Sequence, residues 1–126
     1  MCLDLNLQKT HDFTEENKGN HRIRVFKVVE KKDKGYFSIY RQLPIPQKGI
    51  YQSNRESVQI TQNEFNDRII IYGIHVCLTK GQCFEHTTLD DIILECFASI
   101  DDFVGINEQN EAVFTQITIP DDAKIY

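Results

Sequence analysis

The chain reads as one α+β domain, with a mainly antiparallel sheet and one principal amphipathic helix. Three features predict this. Two runs rich in β-branched and aromatic residues, 22–29 and 36–41, flank a charged turn that ends in Gly35. A longer run, 69–79, is apolar on both of its alternating faces. Residues 89–100 place Leu89, Ile92, Ile93, Cys96, Phe97 and Ile100 at helical spacing.

Taken in order, residues 1–20 are polar and read as a loosely ordered lead-in, with one short strand at Leu3–Leu7. The domain proper spans 21–126. Its first two runs make a hairpin, with Phe37 and Ile39 on one side of the second strand. Leu43, Pro44, Ile45 and Pro46 predict an extended loop, because proline cannot donate to a central ladder. Thr61 to Glu64 has the form of a capping box and predicts one helical turn. The 69–79 run predicts a central strand covered on both sides, with Gly73 marking a bulge or a close approach. The 89–100 helix takes Thr88 as its N-cap and Asp90 and Asp91 in its first turn. It should lie on the central strand and bury Ile93 and Phe97 against Ile74 and Val76. Gly105 and Asn107–Asn110 read as a turn, and Ala112–Ile119 as a final strand stopped by Pro120.

Composition limits the function classes. At 126 residues, 40% hydrophobic and 26% charged, the chain fits a single folded domain. No apolar run is long enough to span a bilayer, and the first residues carry no secretory signal pattern. Cys2, Cys77, Cys83 and Cys96 are therefore expected as reduced thiols in a host-cell cytosol. Charge is divided along the chain. Residues 1–80 hold 13 Lys/Arg against 9 Asp/Glu, whereas 81–126 hold one Lys against ten carboxylates. The net −5 argues against direct nucleic-acid binding, which phosphate neutralisation drives. The asymmetry suits a charged partner or a second copy, so a homodimer is expected.

Candidate chemistry follows from residue type and spacing. Arg22 and Arg24 share a strand face with Phe26 and Val28, an arrangement suited to a planar anion or to blocking edge aggregation. With Tyr40, Arg41, Arg55 and His75 they form the candidate ligand-binding set. Asp90, Asp91 and Glu95, followed by Asp101 and Asp102, form a candidate acidic partner-binding face, with a solvated surface as the plain alternative. Lys31, Lys32 and Lys34 read as a solvated hairpin tip. His75, Cys77, Cys83 and His86 are competent zinc ligands at a spacing that matches no usual knuckle pair. A core thiol with loop residues is the reading taken, with no metal. No nucleophile elbow, Gly-rich phosphate loop or other catalytic constellation is present.

Two resemblances add to this. Tyr51-x-Ser53, then Tyr72 to Val76, then Ile119-Pro120 resembles a loose family of small phage and mobile-element proteins. That family carries a Gly-Phe-His-x-Phe segment, where this chain has Ile74 for the phenylalanine and Cys77 at the closing aromatic. The resemblance implies a small protein of phage or mobile-element origin; no activity is established for that family, and antagonism of host defence is the role expected of this chain. The segment Gly73–Thr79 is also similar to one of small ADP-ribosyltransferase-like domains, which would nominate Arg24, Ser53 and Glu111. The expected function is a non-enzymatic binding protein, without cofactor, that occupies a host protein or sequesters an anionic nucleotide-like ligand. The alternative is a transferase-like nucleotide-binding enzyme or a degenerate relative.

Overall fold

The structure, a computed structural model, describes residues 3–32, 35–38, 44–46, 48–52, 60–62, 68–70, 73–84 and 91–126. In chain order the elements are β1 (Leu3–Asp4), α1 (Leu7–Glu16), β2 (Ile23–Lys32), β3 (Gly35–Ser38) and β4 (Pro44–Ile45). There follow β5 (Gly49–Gln52), β6 (Ile60–Gln62), β7 (Arg68–Ile70), β8 (Ile74–Cys77) and α2 (Lys80–Phe84). The last are β9 (Asp91–Ala98), a 3-10 turn (Ile100–Asp102), β10 (Phe103–Ile106), β11 (Glu111–Phe114) and β12 (Gln116–Ile119). A small sheet has the order β1-β7-β6. The main sheet has nine strands in the order β10-β11-β8-β2-β9-β12-β5, with β3 on β2 and β4 on β3. The described strand pairs are antiparallel, so the α+β class with one main helix holds.

The helix is not where the spacing placed it. Residues 91–98 are strand β9, paired with β2 over eight positions from Ile23↔Ala98 to Glu30↔Asp91. The physical reason lies in the run itself. Ile92, Ile93, Leu94, Cys96 and Phe97 make it nearly continuous in apolar residues, and such a run satisfies a helical stripe and a two-faced strand alike. Two consecutive β-branched residues and burial from Ile93 to Cys96 favour the strand.

The main helix is α1, inside the segment read as a loose lead-in. It has no fully buried residue, so its amphipathic signal is weak. Polar contacts hold it instead. Asn6 caps it, its Oδ1 accepting from Lys9 N at 2.9 Å. Lys9 Nζ donates to Glu108 O and Asn110 Oδ1, both at 2.8 Å. Phe13 is the apolar anchor, its ring 4.5 Å from that of Phe103.

Other expectations fare unevenly. The 22–41 hairpin forms, as β2 and β3 with Val29↔Ser38 to Lys32↔Gly35. Pro44 and Ile45 are a short outer strand rather than a loop, a position that spares proline a central ladder. Ile60–Gln62 is strand β6; Asn63 and Glu64, over which the helical turn capped by Thr61 was expected, lie outside the described residues. The 69–79 run is divided between two sheets, β7 in the small one and β8 inside the main one, between β11 and β2. Gly73 stands before β8 with φ 134, a backbone that side-chain-bearing residues rarely adopt. The final strand is also two, β11 and β12, broken at Thr115.

That break shows how the sheet is shaped. Only Thr115 separates β11 from β12, yet four ladders lie between them in the sheet order. In a flat sheet they would stand roughly 19 Å apart, and the two backbone steps from Phe114 to Gln116 span under about 8 Å. The sheet must therefore be rolled, with a corner at Thr115, whose N–H donates to Asp102 O at 2.9 Å. The inner face holds the core. Val25, Val29, Leu94, Cys96, Val76 and Phe114 belong to one buried cluster with Ile117 and Ile119.

Phe114 is the largest wholly buried side chain. Phe114→Ala is expected to cost about 3–5 kcal/mol by urea unfolding. Leu7→Ala, on a side chain 54% exposed, should change stability by under about 0.5 kcal/mol.

Candidate functional site

Residues directly opposed across a ladder share a face. Arg24 opposes Phe97, Phe97 opposes Thr118, and Thr118 opposes Ile50. This row crosses β2, β9, β12 and β5 on the outer face. Arg24, Thr118 and Ile50 are exposed, and Phe97 is half-buried. The core residues Val25, Cys96 and Ile117 occupy the inward positions between them. Alternation thus creates the patch: the same strands that build the core present arginine and aromatic groups outside.

Arg22 extends the row. Its guanidinium carbon lies 3.9 Å from the Phe97 ring centroid, a cation–π stack that holds the plane of an otherwise mobile side chain. Arg24 turns toward Glu95, with Nε 3.7 Å from Oε1. The Arg24 side chain stays 66% exposed, while that of Glu95 is 11% exposed. Tyr126 Oη donates to the same Oε1 at 3.4 Å. The final residues run along β9, with Tyr126 N to Ile93 O at 2.9 Å and Glu95 N to Lys124 O at 3.0 Å. That backbone pairing sets the Tyr126 ring 6.4 Å from Phe26. Lys80, opening α2, places its ammonium 4.0 Å from the Tyr126 centroid. The face therefore carries a line of cations and rings, with one largely buried carboxylate at its centre.

The predicted residues are partly brought together. Arg22 and Arg24 are adjacent on this face. His75 is not with them: it lies on β8 opposite Val113, near the position across from Val28. Four strand residues separate that position from Arg24, about 13 Å. Tyr40, Arg41 and Arg55 lie outside the described residues, as do Asp90, Ser53 and His86. Asp91 and Glu95 of the candidate acidic face stand on strand β9 rather than on a helix. Glu95 is buried and pairs with Arg24. Asp91 opposes Glu30 of β2. Asp101 meets His21 Nδ1 at 3.3 Å, and the Asp102 Oδ1 accepts from Thr115 Oγ1 at 3.5 Å. Phe97, Lys80 and Tyr126 are site residues that the sequence did not reveal. Alternation along 91–98 would have set Phe97 and Glu95 on one face, had the segment been read as a strand.

A second cluster lies further along the outer face. Phe26, Val28, Cys77, Cys83 and Ile93 pack together beneath α2. Cys77, Cys83 and Cys96 are reduced thiols; Cys2 lies outside the described residues. Among the described residues no group of three or more His, Cys, Asp or Glu is placed to hold a metal ion. Lys27 stands where the sheet forks, since β8 meets β2 at Phe26↔Cys77 and β3 takes over that edge from Val29. Its Nζ donates to His75 O at 2.8 Å. Loss of water lowers the Lys27 pKa to about 8, against a smaller opposing influence of the neighbouring thiols. Burial pushes the Cys96 thiol up to about 12.

These two shifts have opposite consequences for stability. Between about pH 8 and 10.5 the unfolded lysine keeps a proton that the folded one has lost, so stability rises with pH. Above pH 9.0 the unfolded Cys96 loses a proton that the folded thiol keeps, so stability falls. The expected profile rises by under about 1 kcal/mol near pH 8 and declines in more alkaline solution. Urea unfolding across this range checks it, and Lys27→Met should remove the rise but keep the decline. At the face itself, Arg24→Ala should cost about 1–2 kcal/mol, since it strips a mostly buried carboxylate of its cation. The loss should shrink when Glu95→Gln is already present, as a double-mutant cycle will measure.

Comparison with protein-family models, with curated proteins and with solved structures finds no match to the chain.

Proposed function

We propose that this chain is a binding protein that takes an anionic group on the outer face of the β2–β9 pair. The observation that carries the reading is the Arg22 guanidinium stacked on Phe97 with exposed Arg24 beside it. A guanidinium whose plane is already fixed loses less freedom on meeting a phosphate or carboxylate. The Glu95 carboxylate approaches Arg24 from the Nε side, which orients the fork while offsetting part of its charge. A planar, phosphate-bearing ligand of nucleotide type suits both features, with its base or ring laid against Phe97 or Ile50. Sequestration of such a ligand would be a simple means of antagonising host defence, in keeping with the phage-family resemblance. The transferase alternative receives less support. Glu111 sits on β11, two ladders from Arg24 on β2, or about 10 Å across the sheet.

Thermal shift against inorganic phosphate, mononucleotides, cyclic nucleotides and nicotinamide dinucleotide tests the proposal. A nucleotide should raise the unfolding midpoint, and Arg22→Ala should weaken its binding about tenfold, or roughly 1.4 kcal/mol. No shift with any of these probes, or a shift that Arg22→Ala leaves unchanged, overturns it. A new product detected by mass spectrometry would favour the transferase reading instead.

A further inference from the structure

Residues 120–126 form a strap that the anion-binding reading does not use. β12 stops at Ile119, and Ala123 N donates to Pro120 O at 3.1 Å in a turn, after which the chain rejoins β9. Lys124 O accepts from Glu95 N at 3.0 Å and Tyr126 O from Ile93 N at 3.1 Å, while Tyr126 N donates to Ile93 O at 2.9 Å. The pairing is antiparallel, with Leu94 opposite Ile125. The strap buries little: Asp121, Asp122, Lys124, Ile125 and Tyr126 are exposed, and Ala123 is partly buried against the core. A segment held by a few edge hydrogen bonds with little apolar burial opens at a lower free energy than the strands beneath it. The edge it covers has a definite chemistry. The Tyr126 ring lies between the Lys80 ammonium and the Phe26 ring, and its hydroxyl donates to the largely buried Glu95 carboxylate. β9 runs on beyond Ile93 to Asp91, which opposes Glu30 of β2. Asp91 and Ile93 share a face, so the residue two places after a tyrosine laid opposite Ile93 stands beside those carboxylates.

We propose that the β9 edge from Asp91 to Glu95 is a docking site for an extended segment of a partner protein, one that carries a tyrosine followed two residues on by a lysine or arginine. The segment takes the place of residues 124–126 by strand addition and repeats their backbone bonds. Its tyrosine enters the position of Tyr126, under Lys80 and on Glu95. Its basic residue meets Asp91 and Glu30, a charge complementarity that favours the partner over the strap. The strap thus acts as an internal occupant that a partner must displace, and the apparent affinity is set by how often it opens. Amides alternate along β9, which gives the opening a local signature. Those of Ile93 and Glu95 bond to the strap, whereas those of Leu94 and Cys96 face β2.

Hydrogen exchange of the full chain under native conditions, read by amide NMR, tests the strap. The Ile93 and Glu95 amides should exchange about tenfold or more faster than those of Leu94 and Cys96. Equal protection at all four overturns the proposal. A synthetic peptide, Ala-Lys-Ile-Tyr-Thr-Lys, tests the occupant. It should shift the Ile93 and Glu95 amide signals, and bind the Tyr126→Ala protein about tenfold or more tightly than the wild type, whose strap competes. Replacing the peptide's tyrosine by alanine, or its last lysine by glutamate, should weaken binding about tenfold or more. No binding to either protein, equal affinity for the three peptides, or shifts centred elsewhere overturns the proposal. A dimer of the Tyr126→Ala protein that the peptide dissolves would put a second copy of this chain on the edge and overturn the choice of a partner segment. Should Tyr126→Ala fail to fold, the exchange pattern and the three peptides on the wild-type protein decide.

Discussion

The pairing of β2 with β9 is the constraint on which the rest of the structure depends. Eight opposed positions fix which side chains of each strand face inward. On one side Val25 and Cys96 enter the core. On the other, Arg24 and Phe97 meet solvent together. A slip of one residue would drive Arg24 inward and expose Val25, so burial specifies the register strongly. The neighbouring strands of the main sheet attach to this pair. β8 and β3 divide the free edge of β2, while β12 and residues 124–126 divide that of β9.

The same pairing changes the meaning of the charge division along the chain. The cationic first part and the acidic last part are not two separate surfaces. β2 comes from one and β9 from the other, and the ladder lays them side by side. Arg24 meets Glu95 across it, and His21 meets Asp101 just beyond its end. Part of the asymmetry is thus consumed within the fold. At the Arg24 end of the outer face the local charge is cationic, from Arg22 on Phe97 and from Arg24, whereas Glu30 and Asp91 oppose each other at its far end.

How much was legible follows from what each segment buries. β2 and β3 read clearly because β2 is rich in β-branched residues, the β3 run alternates, and a charged turn lies between them. The 91–98 strand misread as a helix because both its faces are apolar, and a continuous run carries no period to choose by. The main helix, α1, escaped notice for the opposite reason. It buries almost nothing and is held by Asn6 and Lys9, whose partners at Glu108 and Asn110 lie about a hundred residues away. The corner at Thr115 falls inside Ala112–Ile119, which reads as one strand, and emerges only from the strand order. Of the candidate site, the Arg22–Arg24 alternation was legible. The Tyr126 and Lys80 contacts were not, because sequence-distant backbone pairing creates them.

Lys27 marks the place where the sheet forks. Where β8 leaves β2, the lysine side chain reaches the neighbouring strand and donates to the His75 carbonyl. An apolar side chain at position 27 would fill space but donate nothing. The lysine stem packs beside the strands, and its ammonium reaches the carbonyl at 2.8 Å. Dehydration of that ammonium opposes the gain, which is why its proton is held less tightly than in water. Lysine combines an apolar stem that packs against its neighbours with a donor at its end for that carbonyl. The fork in turn frees the end of β8 to lead directly into α2. The stretch from Cys77 to Cys83 is then folded onto Phe26 rather than drawn along the sheet.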